Sequence, residues 1–247
     1  MYEQNPYQSP GDYQGAMAQS AAWAKDWERA AFIRRTYLHL CAAILSFAAI
    51  EAVIFTMTPD AVLLSIVGNM ISGYNFLIVM GLFIFVSWIA NRWAQSNTSL
   101  SMQYLGLALY VVAQAMIFVP LLYLANRFAP HAIGSAGVTT LAVFGGLSVL
   151  VYTTKIDFAT QSMSKFLSVG SFLALGVICA GMLFQFPLGI WFAAAMVGLM
   201  AGYILFQTSS MVHVYRTNQH VAAALGLFSS VALMFWYILI MFMHGDD

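Results

Sequence analysis

The chain has 247 residues, of which 62% are hydrophobic and 7% are charged, whereas a soluble domain carries about 25% charged residues. This excludes a soluble globular core and points to a polytopic membrane protein whose first partner is the lipid bilayer. Nine basic residues balance nine acidic ones, so there is no basic patch to hold a nucleic-acid backbone, and that partner class is excluded.

The first 22 residues, MYEQNPYQSPGDYQGAMAQSAA, are rich in Gln, Pro, Gly, Ser and Tyr. They cannot bury enough apolar area to offset their ordering entropy, which predicts disorder. Trp23 and Trp27 then stand four apart among Lys25, Asp26, Glu28, Arg29, Arg34 and Arg35. That pattern suits an amphipathic lead-in at the membrane surface, and equally a plain extension of the first span. Residues 1–31 are thus expected as a tail and 32–247 as the membrane domain. No apolar run follows a basic start, so no cleavable signal peptide is expected and the first span would act as an uncleaved anchor.

A membrane-spanning helix needs roughly 20 apolar residues. Seven such runs are predicted, near 32–57, 73–91, 102–124, 132–153, 166–186, 188–212 and 221–243. Residues 61–71 are also apolar, but Gly73, Tyr74 and Asn75 interrupt the run. Joined to the second span they would make a helix of roughly 45 Å, too long for a simple crossing. They are therefore expected as a short segment at the outer surface. Pro59, Pro130 and Pro187 fall where helix boundaries are expected. Cys41 and Cys179 lie inside apolar runs and read as packing thiols, not as a disulfide or zinc site.

With the N-terminus inside, the inner segments hold Lys25, Arg29, Arg34, Arg35, Arg92, Lys155, Lys165 and Arg216, leaving only Arg127 outside. The positive-inside rule therefore predicts a cytoplasmic N-terminus and an external C-terminus carrying Asp246 and Asp247. A G-protein-coupled receptor needs the opposite orientation. A retinal protein needs a lysine in the last span, and 221–243 has none.

Hydrolytic signatures are absent: there is no G-x-S-x-G and no H-E-x-x-H. No predicted span contains an aspartate, which removes a paired-aspartate intramembrane protease. His39, His213 and His220 show no metal-ligand spacing and read as solvated or interfacial side chains. No enzymatic activity, metal site or cofactor is expected. Glu51 is the one acidic residue within a span, which by default makes it a functional candidate. It lies roughly 9 Å from the outer end, where reaching interfacial water or packing in the protonated form are equally open to it.

Other polar side chains agree in depth. The run from Ala201 to Arg216 carries Gln207, Thr208, Ser209 and Ser210, and Gln207 and Ser210 share a helix face with Tyr203. Gln207, Ser148, Ser229 and Ser230 each lie roughly 7–13 Å from the inner end of their spans. They could line one polar pocket on the cytoplasmic side, and they equally suit a close small-residue helix interface.

The stretch Thr139–Phe158, TTLAVFGGLSVLVYTTKIDF, resembles the Bax inhibitor-1 family, the transmembrane Bax inhibitor motif proteins with their bacterial YccA-like members. IRRTYL at Ile33–Leu38, GYILFQT at Gly202–Thr208 and ALGLFSSVALMFWYIL at Ala224–Leu239 are similar to the family's first, sixth and seventh spans. The resemblance implies a seven-helix bundle whose last helix is surrounded by the others. It also implies a pH-sensitive calcium leak, in which an acid of span six and an acid of span seven share a proton and close the cytoplasmic side. Those acids fall here on Gln207 and Ser230, which cannot ionise, and the family's basic partner falls near Arg92. The implied carboxylate switch is therefore expected to be missing. Three readings follow: a calcium or other cation leak without that gate, regulation of a partner such as a membrane-anchored quality-control protease, or a substitute titrating group at Glu51 or a histidine. A bacterial inner membrane is the expected location.

Overall fold

The computed structural model describes residues 21–95, 99–154 and 156–244. The expected disordered tail lies outside the described residues except for Ala21 and Ala22, as do Lys155, Asp246 and Asp247. Among the described residues there are eight helices: α1 (Asp26–Met57), α2 (Asp60–Ile71), α3 (Asn75–Ala94), α4 (Leu100–Phe128), α5 (Pro130–Thr154), α6 (Gln161–Phe184), α7 (Ile190–His213) and α8 (His220–His244). Seven of them are long and apolar enough to cross a membrane, and α2 is not. Helices are what such runs must form, because hydrocarbon offers backbone N–H and C=O groups no partner outside the segment.

The boundaries follow local chemistry. The charged segment from Asp26 to Arg35 continues α1 without a break, with Arg29 paired to Asp26 at 3.0 Å. Pro59 precedes α2 and Pro130 opens α5, where a missing N–H costs nothing. Gly73 turns the chain between α2 and α3 at φ 52°, a conformation that costs glycine little. The short helix α2 lays Leu63 and Val67 against Val119 and Tyr123 of α4. Its Asp60 accepts from the Tyr123 hydroxyl at 3.1 Å and from Arg127 at 3.2 Å.

Two spans form the interior. In α4 and α8, 61% and 56% of the apolar window is buried, against 22% or less in the other five. Hydropathy alone cannot select these two, since lipid is as apolar as Leu. In α8, small residues (Ala222, Ala223, Ala224, Gly226, Ala232) and serines permit close approach and hydrogen bonding. It packs against α1, α3, α4, α5 and α7, while α6 leans on α7. The central last helix is thus borne out, though its close shell omits α6. Leu38, Leu45, Phe172 and Trp191 are among the large side chains left facing outward, toward lipid. Cys41 and Cys179 are free thiols.

The tightest contact is between α3 and α4. Gly106 sits directly on the α3 backbone, and a Cβ there would lie 2.6 Å from both the Ala90 carbonyl oxygen and the Ala94 nitrogen.

Candidate functional site

The polar residues of α7 and α8 meet on the same side of mid-bundle, toward the end where α7 finishes and α8 begins. Gln207 lies six residues before the end of α7, and Ser230 lies ten residues into α8. Antiparallel packing of these consecutive helices brings the two to the same height. The Ser230 hydroxyl donates to Gln207 Oε1 at 3.1 Å. Gly226, one turn below Ser230, gives the Gln207 carboxamide room to lie flat: a Cβ at Gly226 would stand 3.6 Å from it. The neighbouring Ser229 faces α4, where the Tyr110 hydroxyl donates to it at 2.9 Å. Two cross-helix hydrogen bonds therefore tie α8 to α7 and to α4 in one layer.

Beyond that layer, toward the end of the bundle where α8 finishes, lies an apolar cavity of about 550 Å³. Its nearest walls, Gln114 of α4, Leu233 of α8 and Met200 of α7, stand one to two helical turns from Tyr110, Ser230 and Gln207. The polar layer lies below the cavity and does not itself line it. Gln114 is buried and its Oε1 has no hydrogen-bond partner.

The other expected residues are placed differently. Ser210 is buried and donates to the Phe206 carbonyl of its own helix at 2.7 Å. Ser148 is buried on α5 with no partner for its hydroxyl, as is Thr208 on α7. Arg92 is exposed at the end of α3, its guanidinium 5.1 Å from the Trp88 ring of the same helix. It is not joined to Gln207 or Ser230. Glu51 is 6% exposed and neither carboxylate oxygen has a partner, so it does not reach out to solvent. His220 is also buried, not solvated as its loop position suggested, and packs against His39 with ring centroids 4.9 Å apart.

A second polar cluster, which sequence reasoning missed, fastens the end of the bundle where α7 finishes. Ser209 accepts from the N–H groups of Phe158 and Ala159 at 3.0 and 3.2 Å and donates to Asp157 Oδ1 at 2.9 Å. His213 Nδ1 stands 3.5 Å from the same carboxylate. Partial burial pulls the Asp157 pKa upward, but the Ala159 N–H, the Ser209 hydroxyl and His213 outweigh it and hold the carboxyl below its usual range. Its contribution is therefore present above the ordinary aspartate pKa and fades as pH falls through the depressed value. With half of the side chain exposed, that contribution is small. The clamp joins the α5–α6 connection to α7 two residues from Gln207.

A family model described as Bax1-I, inhibitor of apoptosis-promoting Bax1, matches residues 29–247. No curated protein matches the chain.

Proposed function

The chain belongs to the Bax inhibitor-1 family, and we propose that this multi-pass membrane protein leaks calcium along α8 through a path closed by an uncharged latch. The latch is the hydrogen bond from Ser230 to Gln207. That bond carries the reading, because it links the two positions onto which the family's proton-sharing acids fall. The large cavity directly beyond it gives a path somewhere to lead. Neither latch residue titrates, so closure is independent of pH near neutrality. No catalytic step is assigned to the chain.

Among the described residues, Lys25, Arg29, Arg34, Arg35, Arg92, Lys165 and Arg216 gather at the latch end of the bundle, with Arg127 at the other. The positive-inside rule then favours a cytoplasmic latch and an outward-facing cavity, and the proposed location is a bacterial inner membrane.

A second reading, regulation of a partner membrane protein such as a quality-control protease, is favoured by the N-terminal segment. The Ala21 N–H donates to the Tyr215 carbonyl at 2.8 Å, which holds that segment beside the α7–α8 connection. Trp23 and Trp27 are left 72% and 67% exposed there.

Ser230→Ala tests the latch. It removes a cross-helix hydrogen bond worth roughly 0.6–1.7 kcal/mol inside a bilayer, so calcium uptake into dye-loaded liposomes should rise about three- to eighteenfold. Unchanged uptake by a folded variant would show that the bond does not close the path.

A further inference from the structure

On the opposite face of α8 lies a second cavity, of about 340 Å³. Phe228 and Phe235 of α8 form its floor, Phe47 and Glu51 of α1 one wall, and Gly137 and Thr140 of α5 the other. It exists because α1 packs on α4 and α8, while α5 packs on α4, α7 and α8. A seam is left between α1 and α5. Leu141 on its rim is 53% exposed, so the seam opens sideways toward lipid.

The contents of this cavity are unbalanced. Glu51 brings a carboxyl group whose two oxygens are buried and unpartnered, a group whose charge is costly to bury without a counter-charge. No Lys, Arg or His lines the cavity. Arg127, the one Lys or Arg at this end of the bundle among the described residues, is committed to Asp60, and neither His131 nor His244 is in the lining. The only other polar side chain in the lining, Thr140, spends its hydroxyl proton on the Ala136 carbonyl at 2.7 Å. The lining thus provides one carboxyl group and three aromatic rings but no cation.

We propose that the cavity between α1, α5 and α8 binds a lipophilic organic ammonium ion, paired with Glu51 and bounded by Phe47, Phe228 and Phe235. Aromatic faces attract a weakly hydrated ammonium, most strongly where water is excluded. The remaining apolar wall suits an alkyl or aryl body arriving through the lateral seam. A bare calcium ion is a poor match, since it requires six to eight oxygen ligands and the lining offers one carboxylate. This site is separate from the Gln207–Ser230 latch and does not depend on the leak reading.

The test uses the full chain in nanodiscs, with tetrapropylammonium as probe and calcium chloride as the competing cation. Titration calorimetry should show saturable binding of tetrapropylammonium that weakens at least tenfold in Glu51→Gln. Gly137→Leu should abolish it with Glu51 still in place. A Cβ at Gly137 meets nothing within 4 Å, so that variant fills the cavity without touching the backbone of a neighbour. Equal uptake by all three proteins would mean partition into lipid and would overturn the proposal, as would no binding to the wild-type chain. Calcium binding lost in Glu51→Gln, with no ammonium binding, would also overturn it and make the site one for an inorganic cation.

Discussion

Replacing Gln207 and Ser230 together by aspartate is expected to make calcium uptake rise with pH between 6 and 8. The wild-type side chains are 3.1 Å apart, and two carboxylates at that distance inside a bundle cannot both ionise readily. One proton would be shared, holding α7 and α8 together at low pH, and the second ionisation would be pushed toward neutrality. Above it, two like charges would face each other where a neutral hydrogen bond had been. A shift of one pKa unit is worth 1.36 kcal/mol, so uptake should change on the order of tenfold across that range. Coupled carboxylates titrate as a pair, so the profile gives apparent values for the dyad and not for either residue. A folded double variant with measurable but flat uptake would show that the two positions do not gate the same path.

The largest stability effect is expected at Gly106, where even one added methyl group has no room. Its Cβ would meet the Ala90 oxygen and the Ala94 nitrogen at 2.6 Å, both backbone atoms, and Trp93 Cβ at 3.0 Å. Side chains can swing away from such a contact, but the backbone of a packed helix cannot. Gly106→Ala gains about 1 kcal/mol of helix propensity and loses more than that through overpacking, typically 1–3 kcal/mol and greater where backbone must move. Because α4 is an interior helix, separating it from α3 would also disturb Tyr110 and the polar layer. The control is Gly81→Ala on α3, where a Cβ meets nothing within 4 Å. Thermal unfolding in detergent should show a drop of several degrees or more for Gly106→Ala and little change for Gly81→Ala. Equal midpoints would contradict the close α3–α4 contact.

The seven spans were legible because the length and apolarity of a run decide whether it can cross a bilayer, whatever packs around it. The interruption at Gly73 was equally legible, since one residue with φ 52° ends α2 as a separate short helix. Depth also carried over: counting residues from helix ends brought Gln207 and Ser230 to one height, where they are bonded. Depth says nothing of direction around the helix axis, however. Arg92 therefore came out stacked on Trp88 of its own helix, and Ser148 was buried without a partner. Tyr110 gave no signal, because an aromatic residue in an apolar run looks like any other core side chain. Its bond to Ser229 spans 119 residues of sequence. Glu51 was read as near an interface from its distance to the end of α1. Its burial comes from α4, α5 and α8 packed around that face of α1, which only the assembled bundle creates. Asp157 was noticed only within a sequence motif, and its clamp depends on α7 passing beside the α5–α6 connection.

The measurement that bears most directly on the account is calcium uptake by the purified wild-type chain in dye-loaded liposomes at pH 6, 7 and 8. A leak closed by the Gln207–Ser230 hydrogen bond predicts measurable uptake that agrees within about twofold across the three, because neither side chain titrates there. Uptake that changes tenfold or more with pH would contradict it and move the gate to a titrating group such as Glu51 or the His39–His220 pair. No uptake at any pH by folded protein would remove the leak and favour regulation of a partner.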